Sequence, residues 1–169
     1  LNIAVFGAPG AGKSFAVQQI ASSVDRRIHY MSYNLTQLDQ NPDGLAREFV
    51  RILDANRAGH IPLMLFDEFD SQNLKYLKEF LVPMEDGTST FGESKLHLGK
   101  CILVFAGGVS HTYDQFKESA VKYKKKKGPD FDSRLLAHIN LQGMDRPADS
   151  VSDQAYVIRR AILLRAFLE

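Results

Sequence analysis

Eight consecutive residues constrain this chain more than any others: Gly7-Ala8-Pro9-Gly10-Ala11-Gly12-Lys13-Ser14, placed directly after the apolar run Leu1-Asn2-Ile3-Ala4-Val5-Phe6. They match the pattern G-x-x-x-x-G-K-S/T in its required setting, a buried strand before it and a helix after it. Glycines let the backbone curl so that successive N–H groups turn inward at anionic oxygens. The start of the following helix adds unpaired donors and the positive end of its dipole. Lys13 would set a compact charge on the β- and γ-phosphates of a nucleotide, and the Ser14 hydroxyl would ligate Mg²⁺. With Phe15, the next residue on the helix, Gly7 through Ser14 form the expected nucleotide-contacting set.

The rest of the chain supplies a sheet for such a loop. Apolar strand candidates at 1–6, Ile28–Ser32, Leu63–Phe66, Cys101–Ala106 and Ala137–Leu141 alternate with helical stretches. The helices are expected near Lys13–Val24, Pro42–Arg57, Asn73–Leu81 and His111–Lys124, and Asp86-Gly87 opens a turn and hairpin over Thr88–Lys100. This alternation predicts a three-layer α/β/α sandwich with a mostly parallel five-stranded sheet. At 169 residues, 44% hydrophobic and 24% charged, the chain has the composition of a folded protein and the length of one domain. Residues 1–150 are expected to form the core, and 151–169 the first helix of a truncated lid. The stretch Val157–Leu168 is apolar on more than one helical face and needs partners, so the chain reads as part of a longer protein.

A second group of residues suits metal and water chemistry. The strand Ile61-Pro62-Leu63-Met64-Leu65-Phe66 runs straight into Asp67-Glu68-Phe69-Asp70. Asp67 would hold Mg²⁺ opposite the phosphates, largely through water. Glu68 would orient and polarise the attacking water as general base, and the alternating direction of strand side chains lets adjacent acids serve different tasks. Asp70 has two readings, support for Glu68 or a helix N-cap, with Ser71 competing for the cap.

Other chemistries find no residues. Cys101 is the only cysteine, which excludes an internal disulfide and suits a reducing, cytoplasmic setting. No apolar run reaches the roughly eighteen residues of a membrane span, and no signal peptide is visible. His29, His60, His97, His111 and His138 are scattered without metal-site spacing, and no G-x-S-x-G elbow appears.

With the glycine loop and Asp67-Glu68 together, the chain resembles an AAA+ ATPase over nearly its whole length, and its later segments look most like the Clp/Hsl unfoldase branch. The segments that carry the branch resemblance are Phe80-Leu81-Val82-Pro83-Met84-Glu85-Asp86-Gly87, Lys95-Leu96-His97-Leu98-Gly99-Lys100 and Phe105-Ala106-Gly107-Gly108. Gly128-Pro129-Asp130-Phe131-Asp132-Ser133-Arg134-Leu135 is similar to the family segment that presents an arginine finger. The resemblance implies Arg134 as a finger reaching the γ-phosphate held by a neighbouring subunit, a third catalytic residue beside Lys13 and Glu68. It implies ATP and Mg²⁺ as ligands, a ring expected to be a hexamer, and a protein client. A solitary arginine has a plainer reading, an ion pair with Asp130 or Asp132.

The sequence departs from that family at two places. The tip of the fourth strand, Ala106-Gly107-Gly108, lacks the Asn, Thr or Ser that helps place water, so Ser110 or backbone donors substitute, or hydrolysis is slow. A lid arginine has only Arg160 and Arg165 as candidates, and neither is assigned. In polypeptide-threading members an aromatic follows the second strand and faces the pore; Tyr33 occupies that position here, with ordinary loop packing as the alternative. Lys122, Lys124, Lys125, Lys126 and Lys127 form a run that reads as a solvated helix end, a subunit or acidic-partner contact, or a phosphate-backbone contact. Three functions follow: an ATP-driven remodeller of a protein client, a nucleotide-gated module with weak or no hydrolysis, and a nucleic-acid loader, the last resting only on the lysines. No N-K-x-D segment supports GTP, and no membrane partner is expected.

Overall fold

The computed structural model describes residues 1–39, 43–91 and 93–143, and positions 155, 157, 158, 161, 162 and 165 of the C-terminal segment. The described chain runs β1 (Asn2–Phe6), α1 (Lys13–Val24), β2 (Ile28–Asn34), a 3-10 turn (Leu35–Asp39), α2 (Gly44–Arg57) and β3 (Ile61–Asp67). It continues through α3 (Ser71–Leu74), a 3-10 turn (Leu77–Phe80), α4 (Leu81–Asp86), β4 (Thr88–Phe91) and β5 (Ser94–His97). After β6 (Ile102–Ala106) come α5 (Tyr113–Lys122), a 3-10 turn (Lys124–Lys126), α6 (Gly128–Asp132) and β7 (Ala137–Asn140).

Five strands form one sheet in the order β2-β3-β6-β1-β7, and every pairing in it is parallel. The expected fold is therefore present, with a wholly parallel main sheet and a separate antiparallel hairpin of β4 and β5. Parallel strands joined by helices have both faces covered, and this explains their continuous apolar runs. On one face Ala4, Phe6, Met64, Phe66, Leu103 and Phe105 enter the larger core, joined by Phe49 of α2, Phe116 of α5 and Phe131 of α6. On the other face Val5, Leu63, Leu65, Val104 and Ala106 meet Val17 and Ala21 of α1. The larger core is knit by ring contacts such as Phe66–Phe105 at 5.7 Å and Phe105–Phe131 at 4.9 Å between centroids. Each such ring contributes about 2–3 kcal/mol through burial.

The segment after β3 differs from expectation. Instead of a continuous helix near Asn73–Leu81, the backbone turns through left-handed conformations at Gln72, Asn73 and Leu74, with φ of 49°, 55° and 63°. The turn lets Phe69, Leu74, Leu77 and Phe80 all reach the core, each no more than 1% exposed. The left-handed turn, in place of a regular helix, carries the chain from Phe69 to Leu74, Leu77 and Phe80. The β2 strand runs on to Asn34, because Tyr33 and Asn34 find partners in Phe66 and Asp67. Pro62 is tolerated in a central strand because it pairs with His29 of β2 before the β6 ladder begins at Leu63. Pro42 and Arg160 lie outside the described residues. The described positions of the expected lid helix, among them Val157, Ile158, Ile162 and Arg165, are helical.

Candidate nucleotide site

The glycine loop leaves the carboxyl end of β1, at the sheet edge where ligands of open α/β sheets bind. Gly10 and Gly12 take φ of 76° and 80° with no atom near where a side chain would start, so conformation alone demands glycine at both. Gly12 then caps α1 without a side-chain bond, which leaves the first N–H groups of the helix turned towards the loop. The turn closes through Ala11 N–H donating to Ala8 O at 3.0 Å. Lys13 Nζ donates to Gly7 O at 2.8 Å and Ala8 O at 3.3 Å, so the ammonium sits inside the curl. Ala8, Pro9 and Gly10 are exposed, as is Phe15 on the first turn of α1.

Although β6 separates β1 from β3, the hydroxyl after the glycine loop meets the acid at the end of β3. Ser14 Oγ donates to Asp67 Oδ2 at 3.2 Å, bridging from the start of α1 to the end of β3. Asp67 Oδ1 accepts the Glu68 N–H at 3.0 Å. An all-oxygen pair of hydroxyl and carboxylate suits a hard cation such as Mg²⁺. Among the described residues there is no cluster of three or more His, Cys, Asp or Glu side chains able to hold a metal by themselves.

Glu68 has φ of 57°, uncommon for a residue with a side chain and characteristic of strained functional turns. The facing strand tip explains how it fits. A Cβ on Gly108 would lie 2.8 Å from Glu68 Cγ, so the absence of one makes room for the acid.

Of the two roles expected for Asp70, the helix cap is not the one its side chain takes. The residue is 3% exposed and makes no side-chain cap to α3. Its Oδ1 accepts from Gly108 N–H at 2.7 Å and Val109 N–H at 3.1 Å, and its Oδ2 from Ser110 N–H at 2.6 Å. These bonds occupy the backbone donors that the sequence left as stand-ins for a water-placing side chain. They hold Gly108 against Glu68 instead. The Gly107-Gly108 pair after a central strand was the available signal for this close approach.

Arg134 is not brought to this site. Its carbonyl accepts from Asn2 Nδ2 at 3.1 Å, at the start of β1. The five residues of β1 separate it from the glycine loop by roughly 15 Å at about 3.3 Å per residue. Its guanidinium pairs with Glu85, through Nε at 3.0 Å, and donates from Nη1 to the Asp130 carbonyl at 2.7 Å. The ion-pair partner is thus Glu85 of α4, not the Asp130 or Asp132 carboxylate. Asp132 instead accepts from the Tyr113 hydroxyl.

Tyr33 packs inward against the larger core, and its buried hydroxyl has no hydrogen-bond partner. A Cβ on Gly44 would fall 2.2 Å from that oxygen, so the ring lies against the start of α2. This placement overturns the pore-facing reading.

A model of the ATPase family associated with various cellular activities (AAA) matches residues 3–124. That span runs from β1 through α5 and holds the glycine loop, Asp67, Glu68 and the strand tip tied by Asp70; Arg134 lies beyond it. No curated protein matches the chain.

Proposed function

The chain belongs to the AAA family of ATPases, and from that premise we propose that it binds ATP between the glycine loop and Asp67 and hydrolyses it in a Mg²⁺-dependent reaction. The observation that carries this reading is the 3.2 Å contact between Ser14 and Asp67 beneath a loop curled around Lys13. Gly7 to Ser14 would wrap the phosphates with main-chain N–H groups, and Phe15 would flank them. Lys13 would exchange its two carbonyl partners for phosphate oxygens. Mg²⁺, when held by Ser14 and Asp67, would neutralise charge on the β- and γ-phosphates. Glu68 would take a proton from water as its oxygen attacks the γ-phosphorus; the bond to the bridging oxygen breaks, leaving ADP and phosphate.

In this reading Arg134 serves a neighbouring subunit, because its place at the opposite edge of the sheet keeps it from its own site. It implies a ring, with a hexamer as the expected form. The Clp/Hsl-like segments favour a protein client and a cytoplasmic setting. Among the described residues no helix is long and apolar enough to cross a membrane.

One observation favours a second reading, a nucleotide-gated module that hardly hydrolyses. The tip of β6 offers no side chain to water, and Asp70 occupies its backbone donors. Steady-state ATP hydrolysis with and without Mg²⁺, for the wild type and Glu68→Gln, separates the two. The motor reading expects turnover that Glu68→Gln removes by about a hundredfold or more while ATP binding persists. Binding with no wild-type turnover at any protein concentration would select the gated module.

A further inference from the structure

The lysine run has a tertiary setting that its sequence does not disclose. A cleft of about 1110 Å³ opens on the α2 side of the sheet, and six lysines line it: Lys75, Lys78, Lys95, Lys125, Lys126 and Lys127. They come from three separate segments: the turns after β3, strand β5, and the loop between α5 and α6. Three of them have acidic partners, Lys75 with Asp39 at 2.7 Å, Lys78 with Glu79 at 3.4 Å and Lys127 with Asp130 at 3.0 Å. Lys95, Lys125 and Lys126 have no ion pair among the described residues. Like charges gathered at one concavity repel one another and raise the local potential, and an anionic ligand relieves both.

The cleft wall identifies the kind of anion. Leu38, Leu45, Phe49 and Pro83 back it, and Val82 stands 52% exposed at its side. Phe49 and Tyr76 are only 2% and 5% exposed, so no aromatic face is open for a base to stack on. No arginine lines the cleft to grip phosphate with two parallel bonds. Point-like ammonium charges beside the exposed aliphatic side chain of Val82 suit carboxylates spaced by aliphatic residues. The volume exceeds the usual small-ligand range of roughly 300–1,000 Å³ and leaves room for a length of extended chain.

We propose that this cleft binds an acidic polypeptide segment of a partner, with Lys95, Lys125 and Lys126 meeting its carboxylates and Val82 its aliphatic side chains. The site is separate from the glycine loop, and the proposal does not depend on hydrolysis. The test is fluorescence anisotropy of a short labelled peptide of alternating Glu and Leu, titrated with the intact protein at low and moderate salt. Wild type should bind it in a salt-dependent manner. The combined variant Lys95→Glu, Lys125→Glu and Lys126→Glu should bind about tenfold more weakly or worse, and Val82→Asp should also weaken binding. Unchanged urea unfolding midpoints for both variants would assign these losses to the cleft and not to misfolding. The proposal is overturned if the charge-reversed protein binds as the wild type does. It is equally overturned if single-stranded DNA of equal charge binds as tightly as the peptide, or if Val82→Asp has no effect, because either result reduces the cleft to a general polyanion surface.

Discussion

Asp70 accepts three backbone N–H groups on one buried carboxylate, and so one side chain shapes the turn facing Glu68. Bonds to a charged acceptor are stronger than neutral ones, and removing it strands donors that water reaches poorly. Asp70→Ala should therefore lower unfolding free energy by about 3 kcal/mol, read as a shift in urea midpoint at constant slope. Gly108→Ala probes the same contact from the other side. The added methyl would lie 2.8 Å from Glu68 Cγ, so the acid must move, while the glycine loop stays as it is. Turnover should fall on the order of a hundredfold, because small displacements of reacting groups cost that much. ATP affinity, measured by fluorescent-analogue binding, should hold; equal losses in both would mean that Gly108 supports the whole site and not Glu68 in particular.

At the scale of elements, Asp39 joins the turn after β2 to the bent segment after β3. Its carboxylate accepts from Lys75 at 2.7 Å, from the Tyr76 hydroxyl at 2.7 Å and from Gln72. These partners, Lys75 foremost, hold its pKa down to about 2, and burial together with the bond to Asp39 pushes the Tyr76 hydroxyl up to about 12. A depressed carboxyl pKa stabilises the fold above its unfolded value, near 3.8, and that stabilisation is lost as pH falls towards 2. Wild type should therefore exceed Asp39→Asn in urea midpoint by a constant margin from neutral pH to about pH 4, and the margin should close below it. A margin unchanged down to pH 3 would show that the carboxylate charge is not what ties the two turns. Helix preference alone suggested a regular helix after β3. The left-handed residues Gln72, Asn73 and Leu74 made it a bent one.

For the whole molecule, the distance between Arg134 and the glycine loop bears on assembly. Arg134→Ala and Glu68→Gln should each abolish ATP turnover alone. Mixed in equal amounts under subunit-exchange conditions, the two proteins should regain a measurable fraction of wild-type rate. A chain with intact Glu68 can then sit beside one with intact Arg134, and a finger is worth roughly 10³–10⁵ in rate. Mixtures as inactive as the separate variants would mean that Arg134 does not act across an interface, and its pair with Glu85 would be its structural purpose.

The order of apolar runs, the glycine loop and the paired acids at a strand end were all legible along the chain. Each depends on neighbours in sequence: alternation along a strand, backbone freedom at glycine, adjacency of Asp67 and Glu68. That determined the sandwich and the residues gathered around the candidate nucleotide site. What tertiary structure alone decided were contacts between segments far apart in sequence: Asp70 with the β6 tip, Tyr33 against Gly44, Arg134 with Glu85, and three groups of lysines around one cleft. No local pattern encodes them, because each exists only after the parallel ladders fix which strand ends and turns lie side by side.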